Sequence, residues 1–366
     1  MTPDVESERV LYQRQAGADI GDDGIAASFG NDASALEALD NGVVLLDLSH
    51  WGRLRLSGGG RKAFLHGQTT NDINSLQKGQ SRETVVTDPQ ARTVDLMTVI
   101  ATDNALLCVT SPGMAAPLAQ RFEKYIFPAD DVAVQDVSER TAMLALAGPE
   151  SDAVLGEIGL TGLAGQPVGS SAMVAFKGSP VVATIRSVFG GGDAEARGCV
   201  IVADESVAGD LWRVLALRGA VPMGSVVAER ARVMKGRPMA GAELTKEFTA
   251  LEAGLYFAIA EDKGCYVGQE AISKVVKHDA VRRQLWGFRM PPGSSCAVGA
   301  TMYDGNGEEL GPVTSVVEGE KDGEVAGLAY VRCRYKGKQA NVEAMLVRVG
   351  ECEGITKRIP FAKRSF

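Results

Sequence analysis

Eight consecutive residues, Lys263-Gly264-Cys265-Tyr266-Val267-Gly268-Gln269-Glu270, hold most of what this chain could do chemically. A thiol stands between two glycines, a lysine precedes it, and an amide and a carboxylate follow. A free thiol titrates near ~8.5, and a neighbouring cation raises the thiolate population. A thiolate at Cys265 would suit transient iron or iron–sulfur ligation, redox sensing or a mixed disulfide. One cysteine cannot hold a cluster alone, because such clusters take about four ligands. Partner residues, a second chain or glutathione would have to supply the rest. The same residues also read as a buried cysteine in a tight turn, and the pattern alone leaves both open. Gln269 and Glu270 either hold the loop through backbone hydrogen bonds or touch a ligand.

The other five cysteines, Cys108, Cys199, Cys296, Cys333 and Cys352, form no C-x-x-C pair. Their wide spacing fits neither a structural zinc site nor a disulfide-stapled scaffold, and a reducing compartment suits them. Cys108, Cys199, Cys296 and Cys333 lie in or beside apolar stretches and read as small core residues. Cys352 sits between Glu351 and Glu353, whose charge opposes thiolate formation. His50, His66 and His278 are scattered without accompanying carboxylates, so no metal triad is expected. His50, Trp51, Phe64 and Trp286 read as structural or core residues.

A net charge of −8 over 366 residues argues against a general nucleic-acid binder. Residues 274–283 carry Lys274, Lys277, His278, Arg282 and Arg283 against one acid, Asp279, and read as a solvated face or a local basic funnel. No apolar run is long enough to span a bilayer, and no signal-like start is visible.

The elements that must position these groups follow from periodicity and punctuation. Asp32-Ala33-Ser34 opens a helix closed by Asn41-Gly42, and Val43–Leu46 is a buried strand. Arg53–Ser57 alternates and predicts a half-exposed strand. A short helix runs from Arg61 to His66, strands follow at 81–87, 93–101 and 105–110, and a helix spans Met114–Tyr125. Strands at 132–135, 141–147, 172–176, 180–188 and 199–203 precede a helix from Val207 to Arg218. No G-x-G-x-x-G lies between a strand and a helix, and Gly190-Gly191-Gly192 reads as a loop. Beyond residue 282, turn-rich short strands predict a small all-β barrel or rolled sheet. The fold class is α+β.

Ordered along the chain are Asp47-Leu48-Ser49-His50-Trp51-Gly52, Phe64-Leu65, Thr69-Thr70-Asn71-Asp72, Ala147-Gly148-Pro149, Gly241-Ala242-Glu243-Leu244, Leu251-Glu252-Ala253-Gly254-Leu255, Val313-Thr314-Ser315 and Pro360-Phe361. In these elements the chain resembles the aminomethyltransferase-like family, typified by the T-protein of the glycine cleavage system. Lys263 to Glu270 is similar to the signature of that family's YgfZ-type branch. Gly236-Arg237-Pro238 and Lys246-Glu247-Phe248 look most like its plastid members.

The resemblance implies three domains in a ring around a folate channel. These are residues 1–130, completed by about 225–281, then 131–224, and a barrel over 282–366. It implies tetrahydrofolate or a derivative as cofactor, with a transient iron–sulfur cluster left open. It implies iron–sulfur enzymes or cluster-assembly proteins as partners. The expected role is an accessory protein that supports assembly or repair of their clusters. A folate-dependent aminomethyltransferase or demethylase, or a non-catalytic scaffold, are the alternatives. The compartment is plastid stroma if a transit peptide has been removed, otherwise mitochondrial matrix or cytoplasm.

Cys265 and Lys263 are the expected reactive pair. Asp95, Arg232, Tyr266, Gln269 and Glu270 are the expected folate-binding residues. A carboxylate accepts the adjacent N–H and amino group of a pterin in a bidentate pair, and Asp95 is the carboxylate available where the T-protein has its aspartate. A one-residue slip would turn it to the other face, and a surface aspartate at a strand start fits as well. Arg232 could hold an anionic group of the folate or pair with Glu229. In the stretch Gly192–Cys199 no glutamate falls in register with the T-protein's Gly-Glu-Asp-Gly-Tyr-Glu element, which speaks against aminomethyl transfer.

Overall fold

The computed structural model describes residues 7–190, 197–321, 323–335, 338–339 and 341–362. The described elements begin with α1 (Glu8–Gln15), the hairpin β1 (Asp19–Ile20) and β2 (Ala26–Ser28), α2 (Asp32–Asn41), β3 (Val44–Asp47), β4 (Trp51–Ser57) and α3 (Arg61–Gln68). Next come β5 (Ser81–Thr87), β6 (Thr93–Ala101), β7 (Ala105–Pro112), α4 (Ala115–Glu123), β8 (Ala133–Asp136), β9 (Thr141–Ala147) and α5 (Ser151–Leu155). After them run β10 (Ser171–Phe176), β11 (Ser179–Ile185), β12 (Gly198–Asp204), α6 (Glu205–Leu217), β13 (Val221–Pro222), α7 (Ser225–Lys235) and α8 (Gln269–Lys277). The last part is β14 (Arg283–Met290), β15 (Thr301–Asp304), β16 (Glu309–Glu318), β17 (Val325–Arg332), β18 (Arg334–Tyr335), β19 (Lys338–Gln339), β20 (Leu346–Val349) and β21 (Cys352–Lys357).

The chain divides into two compact units. The first is Met1–Leu65, Ile73–Arg82 and Met97–Ala228; the second is His66–Asp72, Glu83–Leu96 and Glu229–Phe366. Within the first, a six-stranded sheet has the order β10-β11-β12-β9-β3-β13. Its pairs are antiparallel except β13 with β3. Apolar strand residues Leu45, Leu146, Ile201 and Val181 pack on Leu211, Trp212 and Leu215 of α6. Asp204 caps α6 by accepting the Ser206 amide at 3.0 Å.

The second unit carries a closed barrel ordered β14-β17-β16-β15-β20-β21. Phe288, Met302, Val313, Ala329, Val347 and Val349 fill its core. Closure removes the free edges that such short strands would otherwise expose. The fold is mixed α/β with a C-terminal closed β-barrel, as the α+β expectation required. Among the described residues no helix is long and apolar enough to cross a membrane.

β4 departs from the expected half-exposed strand. Trp51, Gly52, Arg53, Leu54 and Leu56 are all buried. Arg53 is 0% exposed because its guanidinium is spent on protein oxygens. Its Nε donates to Thr141 Oγ1 at 2.8 Å, Nη1 to the Ser49 and Trp51 carbonyls, and Nη2 to those of Ser138 and Thr141. Alternation therefore marked a real strand but misread the arginine face as solvated. Cys296, expected in the core, is half-exposed, whereas Cys108, Cys199 and Cys333 are buried.

Candidate functional site

Lys263 is the fastening point of the cysteine loop. Its Nζ donates to the carbonyl oxygens of His66 at 2.5 Å, Thr69 at 2.6 Å and Asn71 at 2.7 Å. These carbonyls belong to the last turn of α3 and the residues after it. The final carbonyls of a helix lack intrahelical donors, and a lysine can satisfy them. Nζ also lies 4.7 Å from the centre of the Tyr266 ring. Burial strips water from the ammonium and holds Lys263 down to about 7, with Asp72 opposing the shift. Three ammonium protons meet three carbonyls, so Lys263 acts on the backbone rather than as a free cation beside Cys265. Tyr266 is half-buried, and burial pushes its phenol up to about 12.

The loop is pinned again past the cysteine. The Val267 amide donates to Gly67 O at 3.1 Å, and Thr87 Oγ1 donates to Val267 O at 2.7 Å. Gly268 has φ +87°, and a Cβ there would lie 2.7 Å from both Asp88 O and Thr87 Oγ1. Only glycine allows that approach. A Cβ on Gly264 would meet just His66 Nε2, at 3.8 Å, so that glycine is not demanded sterically. Between these anchors Cys265 is exposed, which rules out the buried-turn reading.

Gln269 and Glu270 open α8, with Gly268 at its cap. The Gln269 amide donates to Tyr266 O at 3.2 Å. Among the described residues, neither the Gln269 nor the Glu270 side chain has a hydrogen-bond partner, so both remain available to a ligand. A carboxylate in the first helical turn is favoured by the helix dipole. The basic segment is solvated: Lys274, Lys277, His278, Arg282 and Arg283 are all exposed.

The turn under Gly268 is the β5–β6 turn, which leads directly to Asp95. Asp88 Oδ1 accepts the Gln90 and Arg92 amides, each at 2.9 Å, and shapes that turn. Asp95 is 0% exposed, with Oδ1 accepting the Leu96 amide at 2.9 Å. It is thus no surface aspartate. A carboxylate sealed in a strand is normally hydrogen-bonded or paired within the protein. The hairpin therefore connects Asp95 to the loop that presents Cys265.

Arg232 is buried, with every N–H donor committed inside the protein. Nε and Nη2 donate to the two Glu229 oxygens at 2.7 Å, and Nη1 donates to Glu243 Oε2 at 2.9 Å and Arg237 O at 2.6 Å. Nη2 also donates to Ser315 Oγ at 2.8 Å, and Ser315 Oγ donates to Glu243 Oε1 at 2.6 Å. The pairing with Glu229 was the alternative the sequence left open, and it is present. A second buried pair, Arg237 Nη2 with Glu83 Oε1 at 3.0 Å, ties the start of this hairpin segment into the same unit.

Sequence reasoning missed these partners, although Glu243, Ser315 and Arg237 all lie in motifs that carried the resemblance. Their order was legible; that they converge on one guanidinium was not. It also gave His66 no accompanying carboxylate, whereas His66 Nδ1 lies 3.2 Å from Asp72 Oδ1. Burial, then the Lys263 charge, lowers the His66 pKa and favours neutral imidazole. His50 is half-buried and likewise shifted down by burial. Among the described residues, no three His, Cys, Asp or Glu side chains group as a metal site. The T-protein-like glutamate stretch falls largely at 191–196, outside the described residues.

Comparison with known proteins places this geometry. Residues 22–263 match the GCVT N-terminal domain. A chloroplastic candidate transferase of Arabidopsis thaliana is 38% identical over 354 residues, covering 95% of this chain and 78% of that protein. An aminomethyltransferase of Shouchella clausii is 28% identical, covering 97% of this chain and 96% of its own length. The crystal structure of glycine cleavage system aminomethyltransferase T from Bartonella henselae superposes with a TM-score of 0.81 over 98% of both chains, at 22% identity, and so shares the fold. On the match through residues 22–263 and the plant relative, the chain belongs to the GCVT N-terminal domain family of aminomethyltransferase-like proteins.

Proposed function

We propose that this protein is a tetrahydrofolate-binding accessory factor that supports assembly or repair of iron–sulfur clusters in partner enzymes. The observation that carries the reading is the exposed Cys265, on a loop fastened by Lys263 and seated through Gly268 on the hairpin that bears Asp95. The YgfZ-type signature, Lys263 to Glu270, supplies the cluster half of the proposal. The resemblance to the aminomethyltransferase-like family, which implies tetrahydrofolate, supplies the folate half.

The donor set suits a reduced folate. Asp95 is the carboxylate acceptor for adjacent N–H donors, and a water-excluded acceptor makes stronger hydrogen bonds than a solvated one. With 0% exposure, Asp95 meets a ligand only when its cover moves. Gln269 and Glu270 offer unpartnered polar groups beside the loop, and half-buried Tyr266 offers a ring edge. Bound folate would supply one-carbon chemistry. Arg232, fully engaged, positions α7 and the Glu243 segment instead of meeting the ligand. Cys265 would act as an exposed sulfur ligand toward a partner's iron, with the remaining ligands coming from that partner. A plastid stroma location accords with the plant relative's name.

Isothermal titration with tetrahydrofolate should give saturable binding that weakens at least tenfold in Asp95→Asn. No binding by the wild-type chain would remove the folate half of the reading. The match to aminomethyltransferases over nearly the whole chain favours one second reading, turnover of a small amine with folate. Steady product formation from such an amine would establish it in place of the accessory role.

A further inference from the structure

The C-terminal barrel holds a second cysteine arrangement, apart from Cys265. β14 and β21 run antiparallel, with Gly287 opposite Lys357 and Arg289 opposite Ile355. Continuing that register brings the chain after Met290 past the start of β21, where Cys352 stands. There Pro291-Pro292-Gly293-Ser294 turns back on itself. The Ser294 amide donates to Pro291 O at 3.2 Å, and Gly293 has φ +82°. The reversal sets the Ser295 amide 3.3 Å from Cys352 Sγ, as a donor to the sulfur. Cys296 is the next residue, about 3.8 Å further along the Cα trace. Both thiols are half-exposed, and both pack against the same core of the barrel.

We propose that Cys296 and Cys352 form a reversible disulfide with each other, by thiol–disulfide exchange with a low-molecular-weight disulfide such as oxidised glutathione. The thiolate of one cysteine attacks a glutathione sulfur and expels one glutathione thiolate. The second cysteine then attacks the mixed disulfide and expels the other. Two protein thiols lose their protons, the protein gains one S–S bond, and one oxidised glutathione becomes two reduced molecules. The bridge would tie the β14–β15 connection to the first residue of β21 and close a loop of some 55 residues, which constrains the unfolded chain. Burial, then the proximity of Cys352, raises the Cys296 pKa, so formation should be slow at neutral pH and faster in mild alkali.

The test is incubation of the full chain with oxidised glutathione, followed by non-reducing peptide mapping and thermal melting. The expected result is a Cys296–Cys352 linked peptide, a rise of several degrees in Tm, and reversal of both by dithiothreitol. The rise should be absent in Cys296→Ser and in Cys352→Ser. Glutathione adducts at these two positions without a linked peptide, or a linked peptide joining either one to a different cysteine, would overturn the proposal.

Discussion

The Lys263 ammonium sits 2.6 Å from the Thr69 carbonyl oxygen, and that contact, repeated at His66 and Asn71, holds the cysteine loop to the end of α3. Replacing Lys263 with methionine keeps the apolar stem and removes all three donors. Stability should fall by about 2–3 kcal/mol, because buried acceptors lose their partners. Chemical denaturation measures the loss. Hydrogen exchange should quicken at Val267, whose amide holds Gly67 O, more than in the barrel strands.

The same lysine gives a pH signature. Its folded pKa, about 7, lies below the ordinary 10.5, so in that window the unfolded chain binds more protons than the folded one. Stability then rises with pH between those values as the cost of a buried charge is relieved. Denaturation midpoints of wild type, taken relative to Lys263→Met, should climb from pH 7 toward pH 10. A flat or falling difference would mean that the three carbonyls hold the lysine charged throughout.

Gly268 and Gly264 frame the same cysteine but should respond differently. Gly268→Ala forces a side chain into positive φ and into Asp88 O and Thr87 Oγ1, each 2.7 Å from its Cβ. It should cost about 2–4 kcal/mol and loosen the loop from the hairpin. Gly264→Ala meets only the end of His66 and should change stability by about 0.5 kcal/mol or less. Thermal melts of the two variants, side by side, check the contrast.

Arg232 and Glu243 should behave as a unit. Arg232→Met leaves the fully buried Glu243 carboxylate without its counter-charge and should cost about 3–5 kcal/mol. Arg232→Met with Glu243→Leu removes both charges and should recover part of that loss. A double-mutant cycle reads the coupling.

How much of this was legible in the sequence depended on the range of the interactions. Period-two runs and turn residues marked β9 at Thr141–Ala147 and the barrel strands, because those signals are local. Arg53 was misread because its acceptors on Ser138 and Thr141 lie 85 and 88 residues away. The same limit hid the serine partner of Arg232, which is 83 residues on. Lys263 was noticed for its place beside Cys265, yet its ammonium serves carbonyls more than 190 residues earlier. Spacing within a motif shows what chemistry is present; it does not show which distant backbone atoms claim it.

The central claim rests on the exposed sulfur of Cys265. The most direct measurement is the activity of an iron–sulfur enzyme in a deletion strain supplied with either the wild-type chain or Cys265→Ala, at matched protein levels. The account predicts that the wild type restores activity and that Cys265→Ala leaves it near the level of the deletion. Full restoration by Cys265→Ala would contradict it.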